Sequence, residues 1–222
     1  MTAITITVRG EFVAHRQPER ATVSVSVALE GSDPSSVFRG VAASGERLLA
    51  SIRALHNPTA GPVTWFSTGR VRTWANRPWN KDGKQLALVH HAGQKVSAKF
   101  SDFDALSAWL AQAVEIKGVT VDDIDWALTE KARLELVREV RAQAVRQARD
   151  KAQEYADALE LGSVRVVQIA DSGMLDQGLQ PQMAQAMAYS RGAAGGGGSN
   201  LQLVPEDVSV EASVDARFQI GD

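Results

Sequence analysis

The run from Gly69 to Lys84, GRVRTWANRPWNKDGK, sets Arg70, Arg72, Arg77, Lys81 and Lys84 against Asp82 alone and places Trp74 and Trp79 among them. Cations beside indole rings are what a single-strand nucleic-acid site uses, where bases stack and phosphates are neutralised, and the same residue types suit sugars or small anions. Trp and Arg are also the residues that subunit interfaces favour. Arg70, Arg72, Trp74, Arg77, Trp79 and Lys81 are therefore taken as one candidate surface, with a neighbouring subunit as its first expected cover and a ligand as its second.

Other chemistry-bearing residues point less far. Asp122, Asp123 and Asp125 in VDDIDW offer enough oxygen to interest a hard cation. Strand alternation, however, puts Asp123 and Asp125 on one face and Asp122 on the other, so a solvated strand entry is predicted. NKDG looks like part of a calcium loop, but the loop's first and last ligand positions would fall on Pro78 and Val89. Adjacent His90 and His91 diverge on a strand, and His15 and His56 sit at predicted strand and helix ends. The absence of cysteine excludes disulfides, thiolate catalysis and sulfur-based zinc sites. No HExxH, GxSxG or GxxxxGK[ST] pattern occurs, and the glycine run in GAAGGGGSN lacks the Lys and Ser/Thr of a phosphate loop. The sequence thus indicates no catalytic residues, no metal site and no cofactor.

The elements that must position these residues are set by periodicity. Val23, Val25, Val27 and Leu29 alternate with smaller or polar residues, which predicts a strand, and Ile4 to Val13 is its expected partner across a turn at Pro18. A helix follows, capped by Ser32 or Asp33, with Pro34 in its first turn and Val37, Val41, Leu48, Leu49 and Ile52 on its apolar face. Strands near Val63 to Trp74 and Leu86 to Phe100 are joined by the turn NRPWNKDGK, followed by a helix with Phe103, Leu106, Leu110 and Val114 on one face. GVTVDDIDWAL is a further strand leading into a long helix that Gly162 would cap, SVRVVQIADSG a short strand, and DVSVEASVDARFQI the clearest strand of all. Residues 174–203, rich in Gln, Met, Ala and Gly, are expected to form a mobile loop within a single domain spanning 1–222.

The long helix decides against nucleic acid as a general partner. From Glu130 to Glu160 seven basic residues meet seven acidic ones, and the whole chain of 222 residues has a net charge of -2. Phosphate binding needs uncompensated positive charge. Val137, Val140, Ala144, Ala148, Ala152, Tyr155 and Leu159 instead recur at three and four residues as an apolar stripe. Its alanine centre suits close approach to a flat sheet better than the bulky knobs of a coiled coil, although the stripe is long enough for several heptads. No apolar run approaches the roughly 18 residues of a membrane helix, and MTAITITVRGEF has no signal-peptide character. A cytoplasmic location is therefore expected, or an exported one if a signal has been trimmed away.

Three stretches together resemble the SIMPL-domain family, long catalogued as a domain of unknown function. ITVRGEFVAHRQPERATVSVSVALEG is similar to its first hairpin, RAQAVRQARDKAQEYADALELG to its alanine-rich helix and EDVSVEASVDARFQI to its closing strand. With VSAKFSDFDALSAWLAQAV between them, the resemblance covers nearly the whole chain. It departs in the second hairpin, where the family's Tyr-containing approach is replaced by QLALVHHAG. The resemblance implies an α+β fold of antiparallel hairpins alternating with helices, frequent secretion or periplasmic location, self-assembly, and links to oxidative stress or signalling. It implies no established catalytic residues. The expected function is a non-enzymatic interaction or assembly protein, homo-oligomeric and open to a protein partner. The alternative is a small-ligand or single-stranded nucleic-acid binding module centred on residues 70–84.

Overall fold

The computed structural model describes residues 4–175 and 203–220, so part of the loop expected at 174–203 lies outside the described residues. In chain order the elements are β1 (Ile4–Arg16), β2 (Arg20–Gly31), α1 (Pro34–Leu55), β3 (Val63–Thr68), β4 (Arg72–Asn76), β5 (Val89–Phe100), α2 (Phe103–Ala113), β6 (Val119–Ala127), α3 (Glu130–Ala158), β7 (Val164–Asp171) and β8 (Val208–Ile220). The architecture is α+β, with every named strand paired antiparallel. The elements form two compact units, one from β1, α3, β7 and β8 and the other from β2 to β6 with α1 and α2.

This division overturns the expected first hairpin. β1 does not pair β2: it pairs β8 over its full length, from Ile4 opposite Ile220 to Arg16 opposite Val208, while β2 lies between β5 and β6. β1 and β8 each alternate through thirteen residues, and a match of that length buries one continuous face of both. Only three residues, among them buried Pro18, separate β1 from β2, and the chain changes sheet there.

In the unit of β2 to β6, strand order is β3-β5-β2-β6, with β4 also pairing β5. Ala21, Val23, Val25 and Val27 of β2, with Ala92, Val96, Ala98 and Phe100 of β5, form a closed core with Val41, Leu48, Leu49 and Ile52 of α1 and Leu106 and Leu110 of α2. Each fully buried Val, Leu, Ile or Phe there contributes about 1.5 to 3 kcal/mol. Of the two caps proposed for α1, the structure selects Asp33, which accepts from Ser36 N at 2.8 Å. Asp102 caps α2 in the same way, accepting from Ala105 N at 2.9 Å, and Trp109 Nε1 donates to Ser51 Oγ at 3.0 Å to tie α2 to α1. Val114, assigned to the apolar face of α2 by spacing, is exposed, because the buried line of α2 runs through Leu106, Trp109, Leu110 and Ala113 and Val114 lies beside it.

The predicted strand from Val63 to Trp74 is broken in two. Thr68 and Gly69 are tied down by Gln94, whose side-chain amide donates to Thr68 Oγ1 at 2.9 Å and to Gly69 O at 3.0 Å. β3 then pairs Val96 to Phe100 and β4 pairs Val89 to Gly93, so both lie along one edge of β5.

In the other unit α3 lies on the three-stranded sheet β1-β8-β7, as the alanine-rich stripe predicts. The buried positions are Ala132, Leu136, Val140, Ala144, Ala148, Ala152 and Ala156, spaced strictly by four. Such a row is inclined to the helix axis by roughly 26°, so the contact winds around the helix as it crosses the twisted strands. That winding leaves Tyr155 and Leu159, placed on the stripe by sequence, exposed. Approach is closest at Gly10 of β1, where a Cβ would overlap the Ala144 carbonyl and lie 2.8 Å from Ala148 Cβ. Only glycine fits beneath the helix backbone at that point.

Candidate functional site

The face of the β2–β6 sheet opposite α1 and α2 is built from the residues that alternate with the core. Across the strands, register lines them up in rows: Trp65, Lys99, Thr22 and Asp125 in one, and Ser67, Ser97, Ser24 and Asp123 in the next. Farther along come Arg72 opposite Gly93 and Ala28, and Trp74 opposite His91 and Glu30. Aromatic and basic residues thus gather at the β3–β4 edge and carboxylates at β6.

The β4 edge carries the densest chemistry. The Trp74 indole stacks on the His91 ring, with centroids 5.3 Å apart and planes 6° from parallel. Gly93, two residues on, has no side chain, and a Cβ there would stand 3.6 Å from the indole. His91 Nε2 lies 2.6 Å from Asn76 Oδ1, and Nδ1 lies 3.4 Å from the Glu30 carboxylate. The imidazole is therefore fixed from two sides beneath an indole that remains 53% exposed. At the other end of the edge Lys99 Nζ sits 5.9 Å from the Trp65 ring centroid, a cation–π distance.

The candidate residues divide along this edge. Arg72 and Trp74 are on β4 and share a face, and Arg70 is in the turn before it. Arg77, Trp79 and Lys81 belong to the connection between β4 and β5. That connection is an ordered extension of the hairpin, closed by Leu86 N to Pro78 O and Asn80 N to Lys84 O, with Asn80 Oδ1 accepting from Asp82 N and Lys84 N. Gly83, at φ 72°, completes the turn. Trp79 pairs Gln85 there and is 67% exposed.

On the helix side of β4 an open concavity of about 730 Å3 is lined by Phe38 and Arg39 of α1 and by Thr73, Ala75 and His90 among others. Pro34 and Ser35 of α1 also line it, and at the helix N-terminus hydrogen bonds from Ser36, side chain first and backbone second, hold the Asp33 carboxyl below the usual range. The helix terminus already has its anion.

Sequence analysis missed His91, Trp65, Lys95 and Lys99 as members of this surface, because their placement along the same sheet face as Trp74 and Arg72 is a matter of register. Asp122 also departs from expectation. A bulge between Ser24 and Val25 of β2 and their β6 partners turns it, so that its carboxylate accepts from Ser26 Oγ at 2.8 Å on the face carrying Asp123 and Asp125. Even so, no group of three or more His, Cys, Asp or Glu among the described residues is placed to hold a metal ion. No helix of the described residues is long and apolar enough to cross a membrane.

No curated protein matches the chain. Its two antiparallel sheets, its alanine-faced α3 and its closing strand β8 agree with the resemblance drawn from the sequence. Residues 6–218 match the SIMPL family, described as a protein of unknown function (DUF541), and the chain belongs to that family.

Proposed function

We propose that this chain is a non-enzymatic interaction and assembly protein that self-associates and presents the surface of Arg70, Arg72, Trp74, Arg77, Trp79 and Lys81 to a protein neighbour. The observation that carries this reading is the exposure of two tryptophans, 53% for Trp74 and 67% for Trp79, on a hairpin edge rich in cations. Half-exposed indoles fixed by a stacked ring or a turn are pre-organised anchors, and such anchors dominate the energetics of interfaces. The link to stress response or signalling implied by the family resemblance fits a protein whose output is assembly.

A second reading, a small-ligand or single-stranded nucleic-acid module, is favoured by the parallel Trp74–His91 stack, which offers a flat ring to a base or sugar. Replacing Trp74 and Trp79 by alanine tests both. Under the first reading, sedimentation equilibrium shows weaker association or loss of a partner with an unchanged circular-dichroism spectrum. Under the second, assembly survives and salt-dependent oligonucleotide binding disappears. A double variant unchanged in every assay removes this edge as a functional surface.

A further inference from the structure

β7 is an edge strand with an unusual outer margin. It pairs β8 on one side, and among the described residues no strand pairs its other side. α3 lies mainly over β1 and β8, so β7 receives little of its cover. Val166, Val167 and Ile169 are consequently 57%, 56% and 49% exposed. Soluble proteins blunt such margins with inward charges, proline or very short strands, because free N–H and C=O groups beside β-branched residues recruit another strand. β7 has eight residues and no proline. Arg165 is its one cation, and it lies on the face away from α3, opposite Gln219.

We infer that β7 pairs antiparallel with β7 of a second copy of this chain, joining two three-stranded sheets into one of six strands. The inference rests on the self-associating function proposed above and names the strand that performs it. Register supports it. The bulge between Val166 and Gln168 puts Val164, Val166, Ile169 and Asp171 on the α3 side and Arg165, Gln168 and Ala170 on the other. A two-fold axis between Val167 and Gln168 sets Val166 opposite the partner's Ile169 and Arg165 opposite the partner's Ala170, so every regular pair shares a face. Without the bulge an eight-residue strand would align its faces differently.

Charge is complementary in the same register. Arg165 forms no ion pair among the described residues. The partner's Ala170 is too small to block it, and the next residue in that row is Asp215, opposite Ala170 on β8. Asp215 already takes Arg9 on its β1 side at 2.7 Å. Arg165 of the second copy faces this row from the β7 side, where Gly173 N also donates to the carboxylate at 2.7 Å, and no like charges meet across the two-fold axis.

The test is sedimentation equilibrium on the full chain over a wide concentration range, comparing the unaltered protein with Val166→Lys/Ile169→Lys and with Arg165→Glu. Both sets of side chains are exposed, so circular dichroism and Tm should stay as they were. The expected result is a self-associating parent, with the dissociation constant raised about tenfold or more by the lysine pair and by a smaller factor by Arg165→Glu. A Val166→Cys/Ile169→Cys variant, in a chain with no other cysteine, should form a covalent dimer on oxidation. A parent that associates while the lysine pair leaves its dissociation constant unchanged overturns the β7 pairing and leaves the proposed function standing. A parent that stays monomeric at every concentration overturns both. Association lost in the Trp74/Trp79 double variant but kept in the lysine pair assigns the interface to the hairpin edge instead.

Discussion

Asp215 faces Arg9 across the β1–β8 ladder and accepts from its guanidinium at 2.7 and 3.2 Å, while Gly173 N donates to the same carboxylate at 2.7 Å. The Arg9 hydrogen bonds hold the carboxyl below its usual range against the opposing effect of partial burial, and the Gly173 amide and the Arg9 charge add to the lowering. A carboxyl with a depressed folded value stabilises the fold fully above its unfolded value of about 4, and that stabilisation is lost as pH falls through the folded value. Arg9 is half exposed, so solvent weakens the pair. Asp215→Asn should therefore cost about 1 to 2 kcal/mol at pH 7 and progressively less below pH 4. Urea unfolding at pH 7 and pH 3 checks this, and an equal deficit at both would place the loss in packing rather than charge. The interaction could not be read from sequence, since Arg9 and Asp215 stand 206 residues apart and neither is marked by its neighbours.

α3 shows at the scale of an element what local pattern reveals and what it hides. Its existence, its alanine face and its seat on a sheet were legible, because a row of alanines repeated every four residues suits little else. Which residues flank that row was not: Ala132, Leu136 and Ala156 are buried and Tyr155 and Leu159 are not, because sheet twist rather than hydrophobicity chooses the line of contact. The end of the helix was misplaced as well. Gly162 is the residue composition selects, but Glu160 takes the left-handed position at φ 53°, with Leu161 N bonded to Ala156 O and Glu160 N to Asp157 O. This is the double hydrogen-bond closure usually given to glycine. Left-handed backbone costs a residue with a Cβ about 1 to 2 kcal/mol, partly offset by the extra freedom glycine has when unfolded. Glu160→Gly should thus stabilise the fold by about 0.5 to 1 kcal/mol, seen as a higher urea midpoint, and a lower midpoint would show that the glutamate side chain contributes more than its backbone loses. The candidate surface divides in the same way. Its composition was plain in GRVRTWANRPWNKDGK, whereas the Trp74–His91 stack and the break at Gly69 depend on β5 and on Gln94, which lie well downstream.

Across the whole molecule the two units differ in how they use the chain. Among the described residues the β2–β6 unit pairs its strands within residues 20–127, and Leu203 also packs against its core. The other unit joins β1 to β8 and to α3, and so draws on residues near both ends of the chain. Contacts between distant residues form late because a long loop must close before they stabilise anything. Pulse-labelled hydrogen exchange during refolding should find amides of β2 and β5 protected before those of β1 and β8; simultaneous protection would mean that both units form in one step. The same arrangement matters on the ribosome. At roughly 5 to 20 residues per second, β1 waits roughly 10 to 40 s for its partner strand, with Ile6, Val8 and Phe12 uncovered in the meantime. Until β8 emerges that apolar face is open to misassembly, and the yield of folded protein should fall as the concentration of nascent chains rises.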